Sequence, residues 1–572
     1  MSDQRNLILA IVLSVVIILG FQYFYEGPRI RDAQQRAQPD HTTSQVQPSQ
    51  PAAQAPAGQA STGGAPAAGG AQADQAEANA PRVRLDNGRL HGSVSLLGGR
   101  IDQVTLADYH ETIDPSSPEI ALLSPPGRPN PYFAQFGWVA GDKGTPVPDA
   151  TTLWQAQGGE LTAQSPVTLT WDNGQGLAFG QQIGVDQDYM FSVKQTVTNN
   201  GTAPATLYPF GLLSRWGTPP TLGYYILHEG PIGVVDGSLQ EIKYKTLAEK
   251  GTVEADSKGG WLGITDKYWL ATLIPQQDLP IKTAFRHETE GDRYQTDFRG
   301  PAMTVQPGQT VELTNRLFAG AKEVKLLDTY GERYSIPLFD RAVDFGWFYF
   351  LTKPIFLFLH WLHGVVGNYG VAILLLTLMV KAAFFPLANR SYTAMSKMKA
   401  LQPKIQELRE RCGDDKAKLN TEMMSLYKRE GANPVSGCLP MVIQIPVFFS
   451  LYKVLFTTIE MRHAPFFGWI HDLSAPDPTN VFTLFGLVPW SPPQMLHLAI
   501  WPLVMGLTMF LQQRLNPQPA DPAQARIMML MPLMFIFLFS SFPAGLVIYW
   551  AWNNSLSILQ QWLIMRRMGV RA

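Results

Sequence analysis

Apolar residues follow three different rhythms along this chain. From Leu7 to Phe24 they form one continuous run, long enough for a single helical crossing of a bilayer roughly 30 Å thick. The run ends in GFQYFYEG rather than in the small residues of a cleavage site, which predicts a retained transmembrane anchor over 1–26. Phe21, Tyr23, Phe24 and Tyr25 suit the aromatic belt at its end. From Val83 to about Leu338 the rhythm shortens to a period of two. In MFSVKQTVT, Phe191, Val193 and Val197 fall on one side, and Ser192, Lys194, Thr196 and Thr198 on the other. Asp86-Asn87-Gly88, Asp172-Asn173-Gly174 and Asn199-Asn200-Gly201 supply the positive-φ residues that tight hairpins require. A large antiparallel β-sandwich is expected over 82–338. Between anchor and sandwich, 27–81 is dominated by Ala, Gln, Pro, Gly and Ser, too polar to bury a core, and reads as a disordered tether.

Beyond Leu338 the apolar runs lengthen again. Val343 to Leu387 is too long for one span, and Gly364, Gly367, Asn368 and Gly370 divide it. The aromatic stretch before the break carries Lys353-Pro354, His360 and His363, which predicts an interfacial amphipathic helix over 339–366. Within 367–572, five spans are predicted at Val371–Leu387, Val435–Ile459, Leu496–Gln513, Ile527–Phe542 and Ala544–Met565, making six with the anchor. Pro543 and Gly545 make a tight hairpin of the last two. Residues 390–432 form a helical hairpin: Met395, Met398, Leu401, Ile405 and Leu408 recur at three and four, then a Gly413-Asp414-Asp415 turn, then Leu419, Met423 and Leu426. Pro403 is expected to kink its first arm.

Whole-chain averages of 45% hydrophobic and 16% charged residues conceal this division. A net charge of -1 gives no basis for a sequence-specific nucleic-acid partner. Two cysteines, Cys412 and Cys438, exclude a disulfide scaffold and match no zinc pattern. Charge does fix an orientation. The hairpin loop holds Arg390, Lys397, Lys399, Lys404, Arg409, Arg411, Lys416, Lys418, Lys428 and Arg429, and the tail holds Arg566, Arg567 and Arg571. Both face the cytoplasm by the positive-inside rule, while the loop with Glu460, Asp472 and Asp477 faces out. Both termini are therefore inside and the β-domain outside, although Arg29, Arg31 and Arg36 after the anchor point the other way. The basic face of the hairpin suits a ribosome, targeting factors or anionic lipid headgroups, or is an ordinary solvated face.

TLMVKAAFFP places Lys381 inside an apolar run. A charge at such depth marks a functional site by default; the bland alternative is snorkelling to the cytoplasmic headgroups. Lys453, near the outer end of its span, is expected to snorkel. Thr377 shares a helix face with Lys381, Gln444 falls at a similar depth, and Tyr549, Asn553 and Ser557 recur at intervals of four. Together they predict a wet recess. No Asp or Glu lies in the five carboxy-terminal spans, which disfavours a proton-coupled solute carrier. His91, His110, His228 and His287 form no spaced catalytic set, so neither covalent catalysis nor a metal or cofactor is expected.

VGNYGVAILLLTLMVKAAFFPL, MSKMKALQPKIQELRERCGDDKAKLNTEMMSLYKREGANPVSGCLPMVIQIPVFFSLYKVL, APFFGWIHDLSAPDP and FPAGLVIYWAWNNSLSILQQW resemble the YidC-type membrane-protein insertases of bacterial inner membranes. The resemblance covers most of 340–567, and the anchor, tether and β-domain are similar to the long Gram-negative form. It implies a five-helix core in the inner membrane, with a charged groove open to cytoplasm and lipid. Many members carry arginine at the groove position, where this chain has Lys381, which keeps the charge but not the forked guanidinium. Its implied clients are nascent membrane proteins, received alone or with the Sec translocon, with ribosome or signal-recognition targeting factors and membrane lipids as further partners. In the groove, Lys381 would hold water and attract acidic residues of a client. Thr377, Gln444, Asn553 and Ser557 would offer polar contacts, and Phe448, Tyr549 and Trp550 contact area. A rival reading gives the β-domain a carbohydrate-processing role by fold analogy alone.

Overall fold

A computed structural model of the chain describes residues 80–221, 227–413, 415–431, 434–486, 488, 498–516 and 522–568. The anchor over 1–26, the tether up to residue 79 and Arg571 of the tail lie outside them.

Nineteen strands occur among the described residues, the first Arg82–Asp86 and the last Thr310–Ala321, and they pair with one another antiparallel throughout. They make two sheets, one of ten strands and one of nine. The strand Met190–Asn199 sits inside the smaller sheet, between Thr310–Ala321 and Leu177–Val185. Phe191, Val193 and Val197 are buried and Ser192 is exposed, as the alternation predicts. Each such side chain contributes about 1.5–3 kcal/mol of transfer energy. Gln195 shares that inward face, and its Nε2 donates to Gly137 O of the opposite sheet at 2.9 Å while its Oε1 accepts from Asn315. Gln181 likewise donates to Phe136 O at 3.2 Å. The two amides pin the layers together; Gln195 is bonded at both ends, whereas Gln181 Oε1 has no partner among the described residues.

Two of the three turn tripeptides close hairpins, with Gly88 and Gly174 at φ 90° and 69°. The third does not. Asn199-Asn200-Gly201 carries the chain from the smaller sheet to Ala205–Trp216 in the larger, with no positive φ among the three. Asn199 explains the change: its Nδ2 donates to Ala203 O and Val305 O, fixing a crossover instead of a reversal.

Eleven described α-helices accompany the sheets. α1 (Tyr244–Lys250) lies between strands, and α2 (Val324–Arg333) leaves the sandwich. Then follow α3 (Tyr349–Val366), α4 (Tyr369–Ala383), α5 (Phe385–Ala400), α6 (Gln402–Cys412), α7 (Lys416–Arg429), α8 (Pro434–Thr457), α9 (Ile500–Leu515), α10 (Pro522–Phe539) and α11 (Ala544–Arg567). Gly367 ends α3 in the left-handed region at φ 71°, and the Asn368 side chain caps α4 by accepting from Val371 N. α3 buries Phe356, Leu359 and Leu362 and exposes Phe350, Phe358, Trp361 and Val365. Gly506 lets α9 approach α10 closely, since a Cβ there would stand 2.3 Å from Ile536 Cγ1.

The helix expected over Val371–Leu387 stops at Ala383 and turns by 71° into α5. Pro386 is the cause, because it offers no amide to continue the ladder and its ring crowds the preceding turn. Among the described residues no single helix is long and apolar enough to cross a bilayer, although α4 and α5 meet that test together as a bent pair. The hairpin's first arm is broken at Leu401, with Pro403 in the first turn of α6. Lys453 does not snorkel. Its Nζ lies 2.8 Å from Asp344 Oδ1, in a largely buried ion pair that ties α8 to the segment after the sandwich.

Candidate functional site

Lys381 occupies the last turn of α4, two residues before the bend, and not the middle of a long span. Its Nζ donates to Ser557 Oγ of α11 at 2.7 Å. Ser557 in turn donates to Asn553 O at 2.8 Å, a bond within its own helix. Among the described residues no carboxylate pairs with this ammonium. An ammonium has three N–H donors, so one is held by Ser557 and two are left for water or an incoming acceptor.

The space beside it is a cavity of about 40 Å³, lined by Lys381, Tyr392 and Gln444 and by apolar groups including Val380, Phe384 and Val447. That exceeds the roughly 10–15 Å³ needed to admit a water, and its polar lining offers the partners a water requires. Gln444 Nε2 donates to Tyr549 OH at 2.7 Å, so the amide carbonyl remains as an acceptor. Eight residues of α11 separate Tyr549 from Ser557, about 12 Å of rise, yet Gln444 and Lys381 reach the same cavity from α8 and α4.

The other predicted residues divide into two groups. Phe448, one turn along α8 from Gln444, packs on Trp550 with ring centroids 4.6 Å apart, and Trp550 meets Phe539 at 4.7 Å. This aromatic cluster lies next to the polar layer. Thr377 is set apart. It is 1% exposed and its hydroxyl donates to Ile373 O of its own helix at 2.7 Å. Tyr392 is the polar lining residue that the sequence pattern did not single out, alongside apolar ones such as Val380, Phe384 and Val447. It lies in the segment read as a cytoplasmic arm, but α5 folds back at the bend, where Tyr392 is buried and forms part of the cavity wall beside Lys381 and Gln444. The available signal was the run Ser391, Tyr392 and Ser396, polar groups that are all buried on one side of α5.

Around the cavity the surface is apolar. Leu378, Met379, Phe384 and Phe385 are exposed at the bend, as are Met529, Leu533 and Phe537 on α10. Surface of this kind fits lipid or an apolar partner segment. The four histidines of the β-domain are bonded separately: His91 to Glu119, His110 to Ser117 O, His228 to Pro231 O and His287 to Asp292.

Two family models match the chain, that of the YidC periplasmic domain over residues 82–358 and that of the 60Kd inner membrane protein over 361–571. A membrane protein insertase YidC of Methylobacterium sp. (strain 4-46) is 52% identical, covering 100% of this chain and 96% of its own length. The chain belongs to the YidC family of membrane protein insertases. The relative of the same name from Sinorhizobium fredii is 51% identical over 100% of this chain and 97% of that one. A crystal structure of an active YidC insertase with its first transmembrane domain resolved is 17% identical, covers 84% of this chain and 91% of that chain, and has a TM-score of 0.34. The chain is thus an inner-membrane insertase with a β-rich periplasmic domain of two antiparallel sheets and a helical carboxy-terminal region.

Proposed function

We propose that this insertase works through the cavity at the bend, as the inner end of a groove open to cytoplasm and lipid and closed toward the periplasm. The observation that carries the reading is the pairing of Lys381 with a hydroxyl instead of a carboxylate. A buried ammonium without a counter-charge is costly unless it is wetted or receives an anion. An acidic side chain in the polar segment of a client supplies that anion, Gln444 adds an acceptor, and the apolar surface at α10 and the bend receives the client's own helix. Ser557, itself bonded to Asn553 O, holds the ammonium, and Phe448, Tyr549 and Trp550 back the polar layer. The polar segment is thereby solvated over part of the bilayer while the helix enters lipid, and no bond is made or broken.

In this scheme the anchor and five carboxy-terminal crossings span the membrane, both termini and the α6–α7 hairpin face the cytoplasm, and the clients are nascent membrane proteins. The ten basic residues of 390–432 support the cytoplasmic side for the hairpin, where ribosome, targeting factors and lipid headgroups are its candidate contacts. Work alongside the Sec translocon belongs to the same proposal. The test is photocrosslinking from position 381 to a nascent client, with insertion measured in reconstituted vesicles. Lys381→Ala is expected to lower insertion of an acidic-tailed client about tenfold or more, the scale of a hydrogen bond to a charged group, and Lys381→Arg to retain it. Full insertion by the alanine variant would remove the groove role.

A further inference from the structure

We propose that Asp477 latches the outer end of the groove, holding one short loop across the amino-terminal ends of α9 and α11 so that periplasmic water does not reach the polar stripe; the proposal rests on the groove reading above. Neither helix caps itself, since Ala499 and Pro543 before them make no side-chain cap bond. Residues 473–479 supply acceptors to both. At α9, Asp477 Oδ2 accepts from Trp501 N at 2.9 Å, and Thr479 Oγ1 accepts from Ile500 N at 3.0 Å. At α11, Ala475 O accepts from Ala544 N at 2.7 Å and Leu473 O from Gly545 N at 2.9 Å. One loop thus closes the same end of two helices that are remote from each other in sequence.

Asp477 is the centre of this loop. It is 1% exposed, and its Oδ1 accepts from Trp469 Nε1, Thr479 N and Thr479 Oγ1 at 3.1, 3.0 and 2.8 Å. With Trp501 N, four donors meet one buried carboxylate, which offsets its desolvation, and its charge suits the positive end of α9. Tyr549, which accepts from Gln444, lies five residues into α11, about 7.5 Å of rise from the latched end. Leu546, Val547 and Ile548 between them are buried, as are Ile470 and Leu473 of the loop. The seal is therefore only about one and a half helical turns deep, and it depends on charge. Asparagine keeps the shape of Asp477, but its amide nitrogen would face a donor at whichever oxygen it replaced, Trp501 N on one side or Trp469 and Thr479 on the other.

The experiment labels a cysteine in the cavity from each side of the membrane. Full-length protein carrying Cys412→Ser, Cys438→Ser and Gln444→Cys is placed in vesicles of each orientation, and a membrane-impermeant maleimide is added to the outside. This parent is expected to label only where its cytoplasmic face is outward. Asp477→Asn should speed labelling at the periplasmic face about tenfold and leave labelling at the cytoplasmic face within about twofold. Thr479→Val, which removes the hydroxyl and its Ile500 contact but leaves the carboxylate, should do the same, whereas Thr479→Ser should label as the parent does. Periplasmic-face labelling that does not differ between the parent and the first two variants, or that rises equally in Thr479→Ser, overturns the latch. Loss of cytoplasmic-face labelling in both Asp477→Asn and Thr479→Val overturns it too, since the loop would then hold up the whole bundle and not its outer end. A parent that labels at neither face overturns the groove reading instead.

Discussion

At the scale of single residues, the site depends on which polar groups have bonds to spare. Thr377 and Ser557 are both hydroxyl residues on helices that face Lys381's neighbourhood, but their situations differ. The Thr377 hydroxyl is buried and donates to Ile373 O, whereas Ser557 accepts from the ammonium itself. Thr377→Val, close in shape, is therefore expected to insert acidic-tailed clients within about twofold of the wild type, since a hydroxyl bonded to its own helix contributes little. A loss as large as that of Ser557→Ala in the same vesicle assay would count against this reading. Spacing along a helix shows which residues share a face, so Tyr549, Asn553 and Ser557 are legible as one stripe. It does not show which partner each meets across the bundle. Lys453 illustrates the limit: its acceptor, Asp344, belongs to a segment remote in sequence, and only the folded chain joins them.

Among elements, the one that sets the site is the bend between α4 and α5. A run of apolar residues continuing to Leu387 reads as a single span, because hydropathy averages over the break that Pro386 makes. The consequence is a change of place for Lys381, from mid-helix to helix end, and for Tyr392, from a solvated arm to the cavity wall. Replacing Pro386 by Ala supplies an amide for the Ala382 carbonyl and removes the ring clash. The Pro386→Ala variant is expected to straighten the pair, so that spin labels at Met379 and Lys397, both exposed, move apart, with insertion reduced. An unchanged label distance would show that packing against α8 and α11, not proline, holds the angle. The β-domain was more legible, since the period of two is imposed by the pleat itself. Its failure at Asn199-Asn200-Gly201 has a physical origin: such residues favour chain reversal, but the Asn199 amide finds its partner at Val305, and tertiary pairing decides which sheet the chain enters.

Across the whole molecule, the periplasmic domain is bolted to the helical region through polar contacts that titrate. Arg462 donates to His110 O and lies over Trp269, and the Lys267 ammonium stands 4.1 Å from the Phe456 ring. Glu460, just past α8, accepts from Val324 N at the start of α2 with one oxygen; the other is sealed from solvent without a partner among the described residues. Burial pushes the Glu460 carboxyl up from 4.5 to about 7, with Glu323 adding to the rise and the amide of Val324 opposing it. A folded-state pKa above the unfolded value gives stability that is complete below pH 4.5 and lost as pH rises through about 7. Other groups run the opposite way. Burial lowers His228 to about 4 and Lys322 to about 8, so their contributions are lost as pH falls through those values. The wild-type profile alone is therefore a mixture, and the difference between wild type and Glu460→Gln isolates one group. Glutamine keeps the acceptor for Val324 and cannot ionise. The variant should melt near the wild-type temperature in mild acid and several degrees above it at alkaline pH, where the wild type carries a buried carboxylate. Thermal unfolding in detergent across that range measures it, and a difference that does not change with pH would mean that Glu460 is solvated and the junction is not sealed at this point.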